Sequence, residues 1–288
     1  MQLVEQHLIR KSDARFAVID QAAFAAKNLY NQATYQIRQY FFQTGRRLGS
    51  GGLFHHIKQM DCYQALLRKV SNSILLQIDQ HWRAILAAQE DFKQHPEKYL
   101  SRPGIPGYKD KEKGRFMLIY DKQALGKRAL KSTGKLIPSG LPIEIETKRT
   151  WEEIRQVRIV PRGAAYLIEV VYTAEEQPAP VDPALIAAID LGVDRLVALV
   201  SNKPGFVPRL VNGRPLKDYN HYYNQQRAAR QSRLAQGNEN RRTSRQMERL
   251  TAKRTRRVNH YLHTASRKIV DLLLEDGWRG LIALTTNR

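Results

Sequence analysis

Hydrophobic residues recur every three or four positions through the first third of the chain, which is the spacing of helices that bury one face. This spacing predicts a helix over residues 14–48, which a glycine-rich stretch at 45–52 interrupts. Helical spacing then resumes over residues 53–92. Both stretches are predicted to form a helical core.

The pattern changes to short alternating runs after residue 93. The segment RPGIPGYKDKEKGRF comes first, and its proline, glycine and lysine content predicts a loop. The alternation that follows predicts antiparallel hairpins in a barrel or a small sheet, with one turn at residues 161–163. The strand candidates are residues 116–120, 141–147, 157–163 and 165–173.

The segment EEQPAPVDPA, residues 175–184, has three prolines in ten residues and is typical of a linker. We therefore predict a helical and β-barrel lobe over residues 1–180, with its helical insertion at about 14–92, and a second domain over residues 181–288. The second domain is predicted to contain three strands, two helical stretches and a fourth strand. These elements are strands at 185–190, 195–200 and 206–211, helices at roughly 217–235 and 240–276, and a strand in LIALTTN.

Lysine and arginine outnumber aspartate and glutamate by 48 to 27, which gives a formal net charge of +21. Such an excess repels itself unless a polyanion neutralises it, so nucleic acid is the favoured partner and an anionic membrane surface is the alternative. No apolar run predicts a transmembrane helix, and the first residues lack the apolar core of a signal peptide. Cys62 is the single cysteine, which excludes a disulfide within the chain and a Cys-based zinc site. A cytoplasmic, nucleoid-associated protein with no membrane partner fits these features.

Asp190 stands at the end of a predicted buried strand in LIAAIDLGVDRLVALVSN, residues 185–202. A buried carboxylate needs a pairing group or a cation, and a strand-tip aspartate in three-layer α/β nucleases is one wall of a divalent-metal site. A turn-forming aspartate that caps Gly192 is the plainer interpretation. The phosphate loop of an actin-like phosphotransferase is a third, which residues 193–195 match poorly.

Basic residues dominate the stretch 227–257 of the second domain, where Glu239 and Glu248 are the acids that oppose them. A solvated helix face normally mixes both signs, so this density predicts a track for nucleic-acid phosphates that carries no base specificity. The cations are Arg227, Arg230, Arg233, Arg241, Arg242, Arg245, Arg249, Lys253, Arg254, Arg256 and Arg257.

Four polar residues before this run, Lys217, Asn220, Tyr223 and Asn224, share one helical face. The tyrosine and the asparagines either contact a base or sugar, or fix the helix to the sheet. The eight histidines have no metal-ligand spacing.

These residues together resemble a known family. LIAAIDLGVDRLVALVSN resembles the first RuvC motif of the TnpB (OrfB) proteins, which insertion sequences encode and which are related to type V CRISPR effectors. Five further segments resemble the family in the same order, so the similarity extends along nearly the whole chain. They are KNLYNQATYQIRQYF (27–41), IPGYKDKEKGRFMLIYDKQ (105–123), IRQVRIVPRGAAYLIEVVYT (154–173), NGRPLKDYNHYYN (212–224) and YLHTASRKIVDLL (261–273).

The resemblance implies an RNA-guided DNA-binding protein of the nuclease class, with an α+β lobe and an α/β domain. A wedge-like β-barrel would hold a guide RNA and read a short motif beside a double-stranded DNA target, and a partial RNase H-like (RuvC) domain would use Mg²⁺ to cut DNA. The first catalytic and metal-ligating aspartate carries over to Asp190. The nucleic-acid-binding residues that we expect are Lys109, Lys111, Arg115, Arg214, Lys217, Asn220, Tyr223, Arg241, Arg242, Arg254, Arg256, Arg257 and Arg267.

The sequence also departs from the family. The family needs a glutamate and a second aspartate from later in RuvC, and it usually carries a four-cysteine zinc ribbon between them. GLIALTTNR resembles the next family strand but has no acid, and Glu275 and Asp276 are poor substitutes at a helix end. We therefore expect a truncated copy or a natural fragment that has no complete two-metal site, no zinc site and no cleavage activity. The alternatives are a nuclease-dead RNA-guided DNA-binding repressor and an actin-like phosphotransferase, which the charge disfavours.

Overall fold

A computed structural model of the chain describes residues 1–175, 182–237 and 243–274 in full, and residues 275 and 281–285 for their backbone. It divides into two compact units, Met1–Glu175 and Glu176–Arg288, each with its own sheet and hydrophobic core. Most of the predicted linker lies outside the described residues. The assignment of the units as a nucleic-acid-binding lobe and a partial RuvC domain stays a prediction.

The first unit packs helices against one antiparallel sheet. Its elements are β1 (Gln2–Ile9), α1 (Phe16–Thr44), α2 (Ser50–Ile57), α3 (Asp61–Gln64), α4 (Arg68–Gln94), β2 (Leu118–Asp121), α5 (Lys127–Thr133), β3 (Lys135–Leu136), β4 (Ile145–Glu146), β5 (Ile154–Arg162) and β6 (Ala165–Thr173). The sheet has the order β1-β6-β5-β2, and β3 pairs with β4 in a separate two-stranded sheet. Strands β1 and β2 are the edges of the larger sheet, so the described residues form an open sheet and do not show the closed barrel that we expected.

The core of this unit lies between the sheet and the helices α1 and α4. Trp82 of α4 is fully buried, and Ile19 and Leu29 of α1 are also inaccessible to solvent. Burying side chains of this size stabilises a fold by ~1.5–3 kcal/mol each. The predicted helix at 14–48 is therefore confirmed as α1, and the apolar spacing that predicted it is the spacing of the buried face.

Three predicted elements differ from the structure. The helix expected over 53–92 is broken into α2, α3 and α4, because Met60 and Leu67 adopt extended ψ angles of 144° and 132°. The strand expected over 141–147 shrinks to β4, since Pro142 has no N–H to donate to a ladder. The hairpin turn lies at residues 163–164, later than the predicted 161–163: Pro161 pairs with Tyr166 and Arg162 with Ala165, and Gly163 turns the chain at a φ of 58°.

Strand β1 has no counterpart among the predicted elements. Its exposed face carries Val4 and Leu8, while its inward face carries Glu5 and His7, which contact each other at 2.8 Å. The inward face also carries Ile9, which is fully buried, so hydrophobic residues lie on both faces and their pattern does not mark the buried one. The strand is fixed by its antiparallel pairing with β6, more than 150 residues away in the chain.

The second unit contains β7 (Ile186–Leu191), β8 (Arg195–Ser201), β9 (Arg209–Asn212), α6 (Arg214–Gly237), α7 (Arg245–Glu275) and β10 (Leu281–Thr285). The sheet has the order β10-β7-β8-β9, in which β7, β8 and β9 are antiparallel and β10 runs parallel to β7. One face of β7 and β8 packs against Ile269 and Leu273 of α7. These elements confirm the predicted order of three strands, two helices and a fourth strand. None of the described helices is both long and apolar enough to cross a membrane.

Candidate nucleic-acid interface and the Asp190 strand

Asp190 lies near the end of β7, in the middle of its sheet. In the register of the strands it is level with Ala198 on β8 and with Thr285 on β10. Its side chain is exposed, because the opposite face of β7, with Ala187 and Ile189, is the buried one. The expectation that this acid ends a fully buried strand is therefore wrong, and desolvation alone does not require a cation beside it.

The described residues do not supply a full set of ligands for a two-metal site. They contain no group of three or more His, Cys, Asp or Glu side chains that could hold a metal ion. The neighbouring strand β10 carries Thr285 at the same level of the ladder as Asp190. Of the two weaker candidates, Asp276 and the side chain of Glu275 lie outside the described part of the chain. The described residues thus do not complete the Mg²⁺ site that the resemblance implies, and the use of a divalent metal by this chain stays a prediction.

The turn after Asp190 is packed tightly against the start of α6. A Cβ at Gly213 would lie 2.1 Å from the carbonyl oxygen of Val193, so glycine is required at this contact. The Gly213 N–H donates to the carbonyl of Asp194 at 2.9 Å, and Lys217 Nζ donates to the Asp194 carboxylate at 2.9 Å. The hydrogen bond from Lys217 holds the pKa of Asp194 below its usual value. This network fixes the position of the predicted nucleic-acid residue Lys217, while Arg214 beside it is exposed.

Several predicted nucleic-acid-binding residues lie between α6 and α7. Arg254 Nε donates to Asn220 Oδ1 at 2.7 Å, and the Tyr223 hydroxyl is 3.0 Å from that of Thr251. Arg257 lies over the ring of Tyr219 at 5.3 Å. Of the two roles that the sequence left open for Asn220 and Tyr223, these contacts support helix fixing, and the helix that they fix is α7 rather than the sheet.

Other cations of α7 point away from this contact. Arg249, Lys253 and Arg256 are exposed and lie four and three residues apart, so they form one stripe along the helix, called the outer stripe below. Arg267 is also exposed and pairs with Asp271 at 2.9 Å. Arg241 and Arg242 lie outside the described residues.

In the first unit, the segment at 105–115 lies along α1 and is called the PGYK segment below. Lys27, a buried residue of α1, donates its ammonium to the carbonyl of Lys111 at 2.5 Å. Asn31 makes two hydrogen bonds with the main chain of Lys109, at 2.8 and 2.9 Å. Burial, and then the charge of Arg115, lower the pKa of Lys27. The segment is therefore held by its backbone, which leaves the side chains of Lys109 and Lys111 exposed.

Arg115 has a different environment from these lysines. Its guanidinium donates to both carboxylate oxygens of Asp20, at 2.9 and 2.7 Å, and to the carbonyls of Glu112 and Gly114. The Tyr166 hydroxyl donates to the same carboxylate at 2.6 Å. These bonds, with Arg115 the largest contributor, lower the pKa of Asp20. Arg115 therefore joins the PGYK segment to α1 and β6.

The sequence did not indicate the aromatic side chains that surround the PGYK segment on α1. A signal was available in the charge pattern, since residues 21–60 contain no aspartate and no glutamate. Helical spacing alone assigns the aromatic residues of α1 to the core. The exposed rings can be told from the buried ones only when the position of the PGYK segment on α1 is known.

Comparison with known proteins finds a family match that covers most of the second unit. Residues 169–283, which include β7 with Asp190 and both basic helices, match the OrfB family of IS605-type elements, described as probable transposase. This match is to the family that the sequence motifs resemble, the TnpB (OrfB) proteins. The resemblance that the sequence motifs indicated is thereby confirmed for the family.

No curated protein matches this chain. Two solved structures, described as the Cas12f1-sgRNA-target DNA complex and the CRISPR-Cas12f ternary complex, match it with TM-scores of 0.31 and 0.36 and identities of 13% and 14%. The first match covers 99% of this chain and 73% of the other, and the second covers 93% and 62%. This chain thus spans less than two thirds of the second structure's protein.

Proposed function

We propose that this chain is a TnpB-family RNA-guided DNA-binding protein of a transposable element, which binds a guide RNA and a double-stranded DNA target without cutting the DNA. The observation that carries the proposal is the basic α6–α7 hairpin within the region that matches the transposase family. A β-sheet whose strand β7 carries Asp190 precedes the hairpin directly.

The basic residues of the hairpin are of two kinds, which differ in their contacts. Arg254 and Arg257 contact polar and aromatic side chains of α6, whereas the outer stripe is exposed along α7. Exposed arginines and lysines bind phosphates of any sequence, and they gain affinity by releasing the counterions of the nucleic acid. In an RNA-guided protein, base pairing between guide and target supplies the sequence specificity. The protein surface that holds the nucleic acid therefore needs to contact only its sugar-phosphate backbone.

The sheet of the second unit supports a partial RNase H-like (RuvC) domain. Three antiparallel strands followed by a helical segment and a fourth strand parallel to the first have the order expected of the first part of that fold. Two-metal cleavage needs several carboxylates around both ions. Asp190 on β7 and Thr285 on the edge strand β10 lie at one level, so this pair of strands contributes one carboxylate there, which supports binding without cleavage as the function of this chain.

The outer stripe gives a direct test of phosphate binding. Affinity of the chain for a structured RNA is measured by filter binding across salt concentrations, for the parent and for the triple variant Arg249→Glu, Lys253→Glu, Arg256→Glu. Removing three phosphate contacts should lower the slope of log affinity against log salt by about 2. The control is Lys127→Glu, Arg128→Glu, Lys131→Glu on α5, which changes the net charge equally. Equal slopes for the two triple variants would contradict phosphate binding by the stripe.

A further inference from the structure

Three aromatic side chains and one arginine form an exposed cluster where the PGYK segment crosses α1. Tyr35 and Phe42 of α1 are 46% and 62% exposed, and Tyr108 of the segment is 50% exposed. The guanidinium carbon of Arg38 lies between two of them, 5.1 Å from the Tyr108 ring centre and 5.7 Å from that of Phe42. We call these four residues the aromatic cluster.

The backbone around Tyr108 is fixed on both sides. The Tyr30 hydroxyl donates to the carbonyl of Gly107 at 3.2 Å, and Asn31 pairs with the main chain of Lys109. Arg38 Nη1 donates to the carbonyl of Pro106 at 3.2 Å, which also orients its guanidinium. The exposed ring is therefore held in place before any ligand arrives, and a preorganised group loses less conformational entropy on binding.

The cluster lies at the border of the hydrophobic core, where the rings of Phe41 and Phe42 are 6.2 Å apart. Phe41, the neighbour of Phe42 in sequence, is the residue that points inward and packs on Trp82, with ring centres 5.4 Å apart. Tyr35, Arg38 and Phe42 lie three and four residues apart, so they share one face of α1 over about 10 Å. Single exposed hydrophobic side chains are common on proteins. Three exposed aromatic rings around one arginine are a patch, and patches of this kind mark binding sites.

The charge around the cluster favours a polyanion. Residues 21–60 contain five lysines and arginines and no acid. The nearest acid after Tyr108 in the PGYK segment is Asp110, whose carboxylate accepts hydrogen bonds from the backbone N–H groups of Glu112 and Lys113. A partner that joins flat apolar rings to negative charge fits this surface, and nucleic acid with unstacked bases has that chemistry.

We propose that the aromatic cluster is a stacking platform for unpaired nucleotides. Bases that are not in a duplex stack on aromatic rings and on guanidinium planes, and this stacking tolerates any sequence. The platform rests on the proposed nucleic-acid function and adds to it a site for single strands, distinct in mechanism from the phosphate contacts of the outer stripe. Its ligand is an unpaired segment of RNA or of DNA.

The test replaces the three aromatic rings by apolar side chains that cannot stack on bases. The variant Tyr35→Leu, Phe42→Leu, Tyr108→Leu is compared with the aromatic control Tyr35→Phe, Phe42→Tyr, Tyr108→Phe. Affinities are measured by fluorescence anisotropy for oligouridine and oligothymidine of about 12 nucleotides, a length within the range of known single-strand sites. A third probe is an abasic oligonucleotide of the same length, which keeps the phosphates and lacks the bases. Circular dichroism confirms that both variants fold.

The leucine variant should bind the base-containing probes about tenfold more weakly or worse, since each lost stack weakens binding by roughly that factor. The aromatic control should bind as the parent does, and the abasic probe should show no difference between the variants. The probe with the larger loss, RNA or DNA, identifies the source of the unpaired nucleotides. If the leucine variant binds the base-containing probes as tightly as the parent, the platform is refuted while the proposed function stands. If the parent binds none of the probes and no structured RNA, both proposals fail.

Discussion

Asp190 on β7 is level with Thr285 on β10, its parallel neighbour in the second sheet. Two adjacent parallel strands therefore bring one carboxylate and one threonine position to the same level, at the carboxyl ends where α/β folds place their sites. We therefore expect the chain to bind DNA without cleaving it, because a single acid does not assemble a two-metal site.

The 288-residue chain should not cleave DNA in the presence of Mg²⁺, even when it carries a matching guide RNA. Asp190→Ala should change its affinity for RNA less than twofold, because the exposed carboxylate contributes no phosphate contact. Gel analysis of a labelled duplex measures the first outcome, and filter binding measures the second. Robust cutting that Asp190→Ala abolishes would reveal an active site that this account lacks.

The close approach at Gly213 predicts a large effect of a small substitution. In Gly213→Ala the new methyl group would collide with the carbonyl of Val193, so the second unit should lose about 1–3 kcal/mol of unfolding free energy, the usual range for overpacking. Gly237→Ala is the matched control, because a Cβ there has no atom within 4 Å. Urea unfolding of both variants measures the effect, and the midpoint of Gly213→Ala should be the lower one. Equal midpoints for the two variants would contradict the close contact at Gly213.

The hydrogen bond from Arg254 to Asn220 should hold the hairpin together rather than bind phosphate. Asn220→Ala should lower the unfolding free energy by about 1–3 kcal/mol, because it leaves a charged donor of Arg254 without its partner. The salt dependence of RNA binding should keep its slope, in contrast to the outer-stripe variant. A flatter slope for Asn220→Ala, with stability unchanged, would assign this residue to the nucleic-acid surface.

Asp20 predicts a pH dependence in the first unit. Its pKa is lowered from 3.8 by Arg115 and Tyr166, so the folded state binds fewer protons than the unfolded state in acid. The stabilisation is present above the unfolded pKa and is lost as the pH falls below about 4 and through the folded pKa. Asp20→Asn should lower the unfolding free energy of the unit by about 1–2 kcal/mol at pH 7. The unfolding free energy of this variant should also fall less steeply than that of the parent as the pH is lowered.

Urea unfolding at pH 7 and near pH 3, followed by tryptophan fluorescence, to which the buried Trp82 of this unit contributes, measures this difference. Glu97→Gln is the control, because that carboxylate is 68% exposed and should contribute little. Parallel stability profiles for Asp20→Asn and the parent chain would contradict the role of the Asp20 carboxylate.

Local pattern predicted the elements whose buried face is mainly apolar. Helix α1 and the strands β6, β7 and β8 lie within a residue or a few of their predicted spans, since their periodicity is the periodicity of burial. Strand β1 could not be predicted this way, because Glu5 and His7 point inward while Val4 and Leu8 are exposed. Its position follows from pairing with β6, and a local pattern contains no information on that pairing.

The same limit applies to the candidate sites. The density of charge predicted a basic hairpin, but it did not separate Arg254, which contacts Asn220, from the exposed Arg256 two positions later. The position of Arg254 in the inward-facing stripe of α7, four residues before the half-buried Val258, was the available signal. Contacts between the PGYK segment and α1 depend on residues about 70 to 80 positions apart, so only the fold brings Tyr108 beside Arg38.

Guide-dependent binding of DNA tests the central claim most directly. The chain is purified from cells that carry its own flanking DNA, the RNA that copurifies is sequenced, and equilibrium binding is measured for a DNA duplex that matches this RNA and for a scrambled duplex. We predict one discrete RNA, and a matched duplex that binds at least about 100-fold more tightly than the scrambled one, a difference of about 2.7 kcal/mol, and stays intact in Mg²⁺. Equal affinity for both duplexes, or a protein that retains no RNA, would contradict RNA-guided DNA binding.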